Sequence, residues 1–199
     1  MSRSCRNSWL FAWTAVTACG CAAWEPPAAS AGATRSKEDA PRAAGEKDPN
    51  NLLANATFDG SISVPWTSSF TAPGGGRASV KDGEYCLLVT NEGKNPWDAQ
   101  VRHREMTIRK DHSYKVEFDA HASRPTKVRA KVGMAGPPYA EYWHDEIALA
   151  SERRTFRGEF RMSADDDATA ELAMHVGGAL ASSGGPFTVC IDNVKLIDP

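Results

Sequence analysis

Apolar and polar residues alternate one for one through YCLLVTN, SYKVEFDAHA, TKVRAKVG, RTFRGEFRM, ATAELAMHVGG and FTVCIDNVKL. In SYKVEFDAHA, Tyr114, Val116, Phe118, Ala120 and Ala122 fall on one side, and Lys115, Glu117, Asp119 and His121 on the other. That period of two lays a strand half on a core and half in solvent. Turn formers separate the stretches as PGGG, KDGE, NEGKNP, GPP, ADDD and SSGG. No stretch keeps a 3.6-residue period over three turns, so the pattern predicts an all-β domain, a β-sandwich or jelly roll. The closing stretch changes parity: Val189 and Ile191 alternate with Thr188, Cys190 and Asp192, but beyond Asp192 the apolar positions are Val194 and Leu196. A cysteine and a carboxylate in mid-strand need a physical reason.

The alternation covers residues 51–199 and nothing before them. Residues 1–18 carry Arg3 and Arg6 ahead of an eleven-residue apolar run, Ser8 to Ala18. That run is too short to span a bilayer and reads as a secretory signal. The next residues, VTAC (Val16 to Cys19), resemble a bacterial lipoprotein box. The resemblance implies cleavage before Cys19 and acylation of its thiol, with Cys21 as the weaker alternative and an ordinary cleaved signal also open. Several acyl chains, at roughly 0.8 kcal/mol per buried CH₂, would hold the chain to a membrane through lipid alone. Residues 19–50 are rich in Ala, Pro and mixed charge, with one aromatic, Trp24. Such a segment cannot bury enough surface to offset its ordering entropy, so it is expected to act as a tether reaching about 30 Å. The expected location is the cell envelope; Gly20 after Cys19, where an aspartate would suggest inner-membrane retention, points to the outer membrane or cell surface.

Composition narrows the function. A formal net charge of −2, with 41% hydrophobic and 24% charged residues, gives no electrostatic case for nucleic acid, and no basic stripe stands out. Motifs of the G-x-S-x-G, H-E-x-x-H, Walker A and paired C-x-x-C types are absent from the sequence, so no catalytic machinery is expected. The carboxylate pairs considered for glycoside hydrolysis are Glu171 with Glu117 or Asp119, a reaction that needs two carboxyls about 5–9.5 Å apart. Cys86 and Cys190 each sit within a strand, and an exported chain can keep a disulfide. Two buried free thiols are the alternative.

Taken together and in order, NLLANATFDG with Trp66, DGEYCLLVTNEG, PWDAQVRH, DHSYKVEFDAHAS, KVRAKVGMAGPPYAEY, RRTFRGEFRM, AELAMHVGG and FTVCIDNVKL resemble carbohydrate-binding module family 4/9. This is the CenC-like type of cellulose- and xylan-binding domain, and the resemblance spans roughly Asn51 to Asp198. It implies a jelly roll of two antiparallel sheets that binds polysaccharide or oligosaccharide in a groove across one of them. It also implies a Cys86–Cys190 disulfide and a structural calcium ion held by Thr57, Gly83 and Asp192, with Asp59 as a further ligand. Calcium takes six to eight oxygens, many from backbone and water. Trp66 is read as either core or groove. The groove residues implied are Trp97 and Gln100 from the W-x-x-Q element, Arg129, Tyr139, and the polar pair Glu171 and His175. A flat aromatic face stacks on a sugar ring, and a glutamine amide bridges hydroxyls as donor and acceptor.

Glu171 and His175 stand where cellulose-binding relatives carry glutamines, and Lys127, Arg129 and Lys131 share a face of their own strand. A groove this charged leaves three outcomes open: neutral polysaccharide, a modified or acidic glycan, or loss of sugar binding in favour of a structural or adhesion role. A third class, an accessory module travelling with glycoside hydrolases, would borrow its activity from a partner domain, and a single module leaves no room for one in this chain. Convergence of Trp97, Gln100, Arg129, Tyr139 and His175 on one face would favour sugar; scatter would favour adhesion.

Overall fold

The computed structural model describes residues 49–181 and 185–199; the signal segment, Cys19, Cys21 and nearly all of the tether lie outside the described residues. Ten strands follow one another: β1 (Thr67–Phe70), β2 (Gly75–Lys81), β3 (Glu84–Asn91), β4 (Ala99–Ile108), β5 (Ser113–Ala122), β6 (Thr126–Gly133), β7 (Glu141–Leu149), β8 (Arg154–Arg161), β9 (Asp167–His175) and β10 (Phe187–Ile197). One sheet runs β1-β4-β9-β6-β7 and the other β2-β3-β10-β5-β8, with every strand pair antiparallel. Their inner faces close over one core in which Trp66, Tyr114, Phe118, Leu172, Met174 and Ile191 are almost wholly buried. Each large apolar side chain so buried contributes on the order of 1.5–3 kcal/mol. Trp66 belongs to this core, its indole Nε1 donating to the Ala54 carbonyl at 2.9 Å, and it does not share a cavity with Trp97 and Tyr139.

Five strands depart from simple alternation, two of them for the same reason. β2 begins inside PGGG, which reads as a turn; Gly76 in fact runs beside the Leu88 carbonyl and the Phe70 ring, where a Cβ would collide with both. β1 is short, and β7 is an edge strand whose burial follows no strict parity. β4 slips register between His103 and Met106, with Glu105 at φ 62°. The extra residue moves the inward positions from Val101 and His103 to Met106 and Ile108. β10 has the same device between Asp192 and Lys195, with Asn193 at φ 50°. This bulge is the reason for the parity change after Asp192.

The segment NLLANATFDG is not a strand; a single bridge joins Asn51 to Ile197. Backbone bonds from the Leu52 amide to the Leu196 carbonyl and from the Val194 amide to the Ala56 carbonyl help the joining, and the buried Asn51 side chain adds to it: its Nδ2 donates to the Val194 carbonyl at 3.1 Å and its Oδ1 accepts from the Leu196 amide at 3.0 Å. Cys86 and Cys190 stand directly opposite each other on β3 and β10 and are disulfide-bonded, with Cα atoms 4.1 Å apart. Glu117 and Asp119 lie on β5 and Glu171 on β9, in opposite sheets of the sandwich. They cannot flank one cleft, which corrects the carboxylate pairing considered from sequence.

Candidate functional site

Three rows of side chains cross the outer face of the β1-β4-β9-β6-β7 sheet. Backbone register sets Ser69, Gln100, His175, Arg129 and Glu146 side by side in the first row. It sets Thr67, Arg102, Ala173, Lys131 and His144 in the second. In the third, Glu171 and Glu141 flank Gly133, and Arg104 reaches Glu171 from β4 at 2.9 Å. A cavity of about 450 Å³ opens on this face.

Five residues expected from sequence line that cavity: Trp97, Gln100, Tyr139, Glu171 and His175. Trp97 and Tyr139 are 51% and 57% exposed, although large aromatic side chains ordinarily bury. Trp97 sits in the one-turn 3-10 element Pro96–Asp98. Its position is fixed by Asp98, whose Oδ2 accepts from the Lys94 and Asn95 amides at 2.8 and 3.0 Å. Those amides hold the Asp98 carboxyl below its ordinary pKa. Tyr139 follows Pro137 and Pro138, and its amide closes a turn onto the Gly136 carbonyl at 2.7 Å. Its φ of 59° is a conformation costly for an aromatic residue, of order 1–3 kcal/mol, and one that collects at binding sites.

Beneath the aromatics lies a polar floor. Gln100 donates from Nε2 to the Trp97 carbonyl at 3.1 Å, which fixes its amide and leaves the carbonyl end as an acceptor. His175 is buried, edge-on to Trp97 with ring centroids 6.5 Å apart. Burial first, and then the Lys131 charge, push its pKa down to about 4. The imidazole is therefore neutral near pH 7 and offers one donor and one acceptor. Glu171 is 4% exposed, and each of its oxygens meets a cation, Oε2 with Arg104 at 2.9 Å and Oε1 with Lys131 at 3.1 Å. Arg129 stands beside His175 in the first row and is turned outward onto Glu141 at 2.6 Å and Glu146 at 3.4 Å, pairs that raise its pKa. Arg102, Arg104 and Glu141 also line the cavity, and sequence reasoning did not single them out. In VRHREMTI and AEYWHDE they look like the solvated face of a strand, and only the register of four strands gathers them.

The residues expected to hold calcium lie in the N-terminal segment, at the β2–β3 turn and on β10. The Thr57 carbonyl oxygen and Asp59 Oδ1 lie 3.8 and 3.5 Å from where a Cβ on Gly83 would stand. Backbone and carboxylate oxygens are the donors calcium takes, so Thr57, Asp59 and Gly83 fit the ion in kind. Asp192 is engaged elsewhere: its Oδ2 is 2.7 Å from Arg153, which also pairs with Glu84 at 3.0 Å. Burial nonetheless pushes Asp192 up to about 6, against the lowering effect of the Asn193 amide and Arg153.

Comparison with known proteins matches residues 50–184 to a family model described as a carbohydrate binding domain. A cellulose 1,4-beta-cellobiosidase of Acetivibrio thermocellus is 35% identical over 161 residues, covering 75% of this chain and 18% of that enzyme. Endoglucanase C of Cellulomonas fimi is 29% identical over 150 residues, covering 73% and 13%. The chain thus spans less than a fifth of the length of either enzyme. Among solved structures, the second N-terminal cellulose-binding domain of Cellulomonas fimi beta-1,4-glucanase C superposes with a TM-score of 0.59 at 27% identity, covering 78% of this chain and 98% of that one. A structure described as CBM4 superposes at 0.62, with 20% identity and coverage of 73% and 99%, and shares the fold.

Proposed function

The chain belongs to this carbohydrate binding domain family, and from that premise we propose that the cavity between Trp97 and Tyr139 is where it takes hold of a polysaccharide, without cutting it. The observation that carries this reading is convergence. Trp97, Gln100, Tyr139 and His175 line one cavity, and Arg129 adjoins His175. An adhesion domain that had lost sugar would have no reason to keep two exposed aromatics above a neutral imidazole and a fixed amide. The rings supply apolar faces, and Gln100 and His175 supply paired donors and acceptors for hydroxyls. The solved relative is itself a cellulose-binding domain, so a β-linked glucan is the first ligand to try. Affinity electrophoresis of the full-length chain through gels of cellulose derivatives, xylan, β-1,3-glucan and pectin tests the reading. Retardation in at least one gel is expected, with Trp97→Ala and Tyr139→Ala each weakening it about tenfold or more, a loss near 1.4 kcal/mol. An unretarded, folded chain in every gel would return the adhesion reading.

Two further proposals accompany this one. A calcium ion at Thr57, Asp59 and Gly83 would be structural, tying the N-terminal segment to the β2–β3 turn away from the cavity. A lipid on Cys19 would place the module at the cell envelope; the VTAC sequence supports it. Mass spectrometry of the membrane fraction tests it: an acylated N-terminal peptide is expected, and Cys19→Ala should leave the chain unacylated.

A further inference from the structure

The geometry points to an acidic ligand: we propose that the groove selects a polysaccharide bearing uronate carboxylates, one of which pairs with Arg102 on the cavity wall. The inference rests on the groove being the glycan site. In the second row Arg102 and Lys131 each stand directly opposite Ala173, one on either side. Ala173 is wholly buried beneath them, so the seat for a ligand's charge is the part of the cavity wall that Arg102 lines.

The surrounding carboxylates do not fill that seat. Glu171 is shared between Arg104 at 2.9 Å and Lys131 at 3.1 Å. Glu141 is held by Arg129 at 2.6 Å and His144 at 3.0 Å. Arg102 forms no ion pair with a carboxylate among the described residues, and its Nε is buried without a hydrogen-bond partner there. The cavity wall thus sets Arg102, Arg104 and Lys131 against Glu141 and Glu171, and Glu141 also answers Arg129, which lies outside that wall. Burial, and after it the neighbouring Arg104 charge, hold Arg102 below the ordinary guanidinium pKa, so an anion beside it relieves both. A hydroxyl of a neutral glucan leaves the guanidinium charge unmatched. A carboxylate presents two oxygens in the plane of the guanidinium fork, the pairing for which arginine is suited.

Titration calorimetry on the full-length chain in detergent tests this with a matched pair, cellohexaose and its C6-oxidised β-1,4-glucuronate counterpart, at 0.05 and 0.5 M NaCl. Glucuronoxylan and polygalacturonate serve as further uronate probes. At low salt a uronate ligand should bind about tenfold or more tighter than the neutral hexamer, the scale of a charge-assisted hydrogen bond, and the preference should shrink as salt screens it. Arg102→Gln should bring the acid-to-neutral ratio toward one, Arg102→Lys should keep part of it, and Trp97→Ala should weaken both ligands together. Neutral binding equal to or tighter than every uronate at both salts would overturn the acidic preference and leave glycan binding intact. An unchanged ratio in a folded Arg102→Gln chain would overturn the seat. Failure of every ligand to bind would remove both readings. Should Arg102→Gln not fold, Arg102→Lys and the salt dependence of the unaltered chain decide.

Discussion

Two backbone amides, of Lys94 and Asn95, donate to one oxygen of Asp98. Gly93 packs so closely on the same side chain that a Cβ would stand 2.5 Å from that of Asp98. Trp97 is exposed, yet it has one place to stand, because the residue after it is buried and anchored. Asp98→Ala should therefore lower glycan affinity about tenfold with Trp97 still present, and Asp98→Asn should recover part of the loss; equal affinity in a folded variant would make Asp98 a bystander. His175 is the other residue whose environment predicts behaviour. Burial first, with Lys131 and Arg129 adding to it, brings its pKa down to about 4 against the opposing charges of Glu171 and Glu141. The unfolded chain takes up the proton near pH 6.5 and the folded chain only near 4, so stability is full above 6.5 and falls as pH drops through that window. The loss reaches at most about 3 kcal/mol. His175→Gln should flatten this part of a pH-dependent denaturation profile relative to the unaltered chain. Binding should stay level from pH 7.5 to 5, since His175 remains neutral throughout; a drop centred near 6.5 would contradict the burial argument.

At the scale of elements, two bulges decide which side chains face which way. One extra residue at Glu105 and another at Asn193 each turn a strand over midway. The alternation of β5 was legible because no bulge interrupts it, and that of β10 only up to Asp192. The edge strand β7 and the glycine-led β2 were hidden because edges need not bury one face and a packed glycine looks like a turn. The N-terminal segment is an element only by attachment, and Asn51 gave no signal because its partners lie on the last strand. Calcium at Thr57, Asp59 and Gly83 would add a second attachment. Saturating calcium should then raise the unfolding midpoint over that in chelator by about 5–10 °C, the effect of a ligand near a hundredfold excess over its Kd. Asp59→Ala should remove most of that rise. An identical midpoint in calcium and chelator would dismiss the ion.

For the whole molecule, the two-sheet sandwich and the aromatic part of the groove could be anticipated from one chain, because alternation and the order of short motifs are local. The ionic part could not. Glu171 is forty positions from Lys131 and farther from Arg104, and they meet only through the register of β6, β9 and β4. The disulfide has a mechanical meaning beyond stability. A domain that gripped a polymer while held through the proposed lipid on Cys19 would be loaded along its chain, and Cys86–Cys190 encloses most of the folded residues in a covalent loop. Tension drawn between the two ends peels Asn51 from β10 first, then reaches Cys86 and stops. Optical-trap extension of the oxidised domain should give a step of about 150 Å, and of the reduced domain roughly 500 Å. The segments that carry Trp97, Arg102 and Tyr139 all lie inside the loop, so the hand stays closed while the sleeve tears.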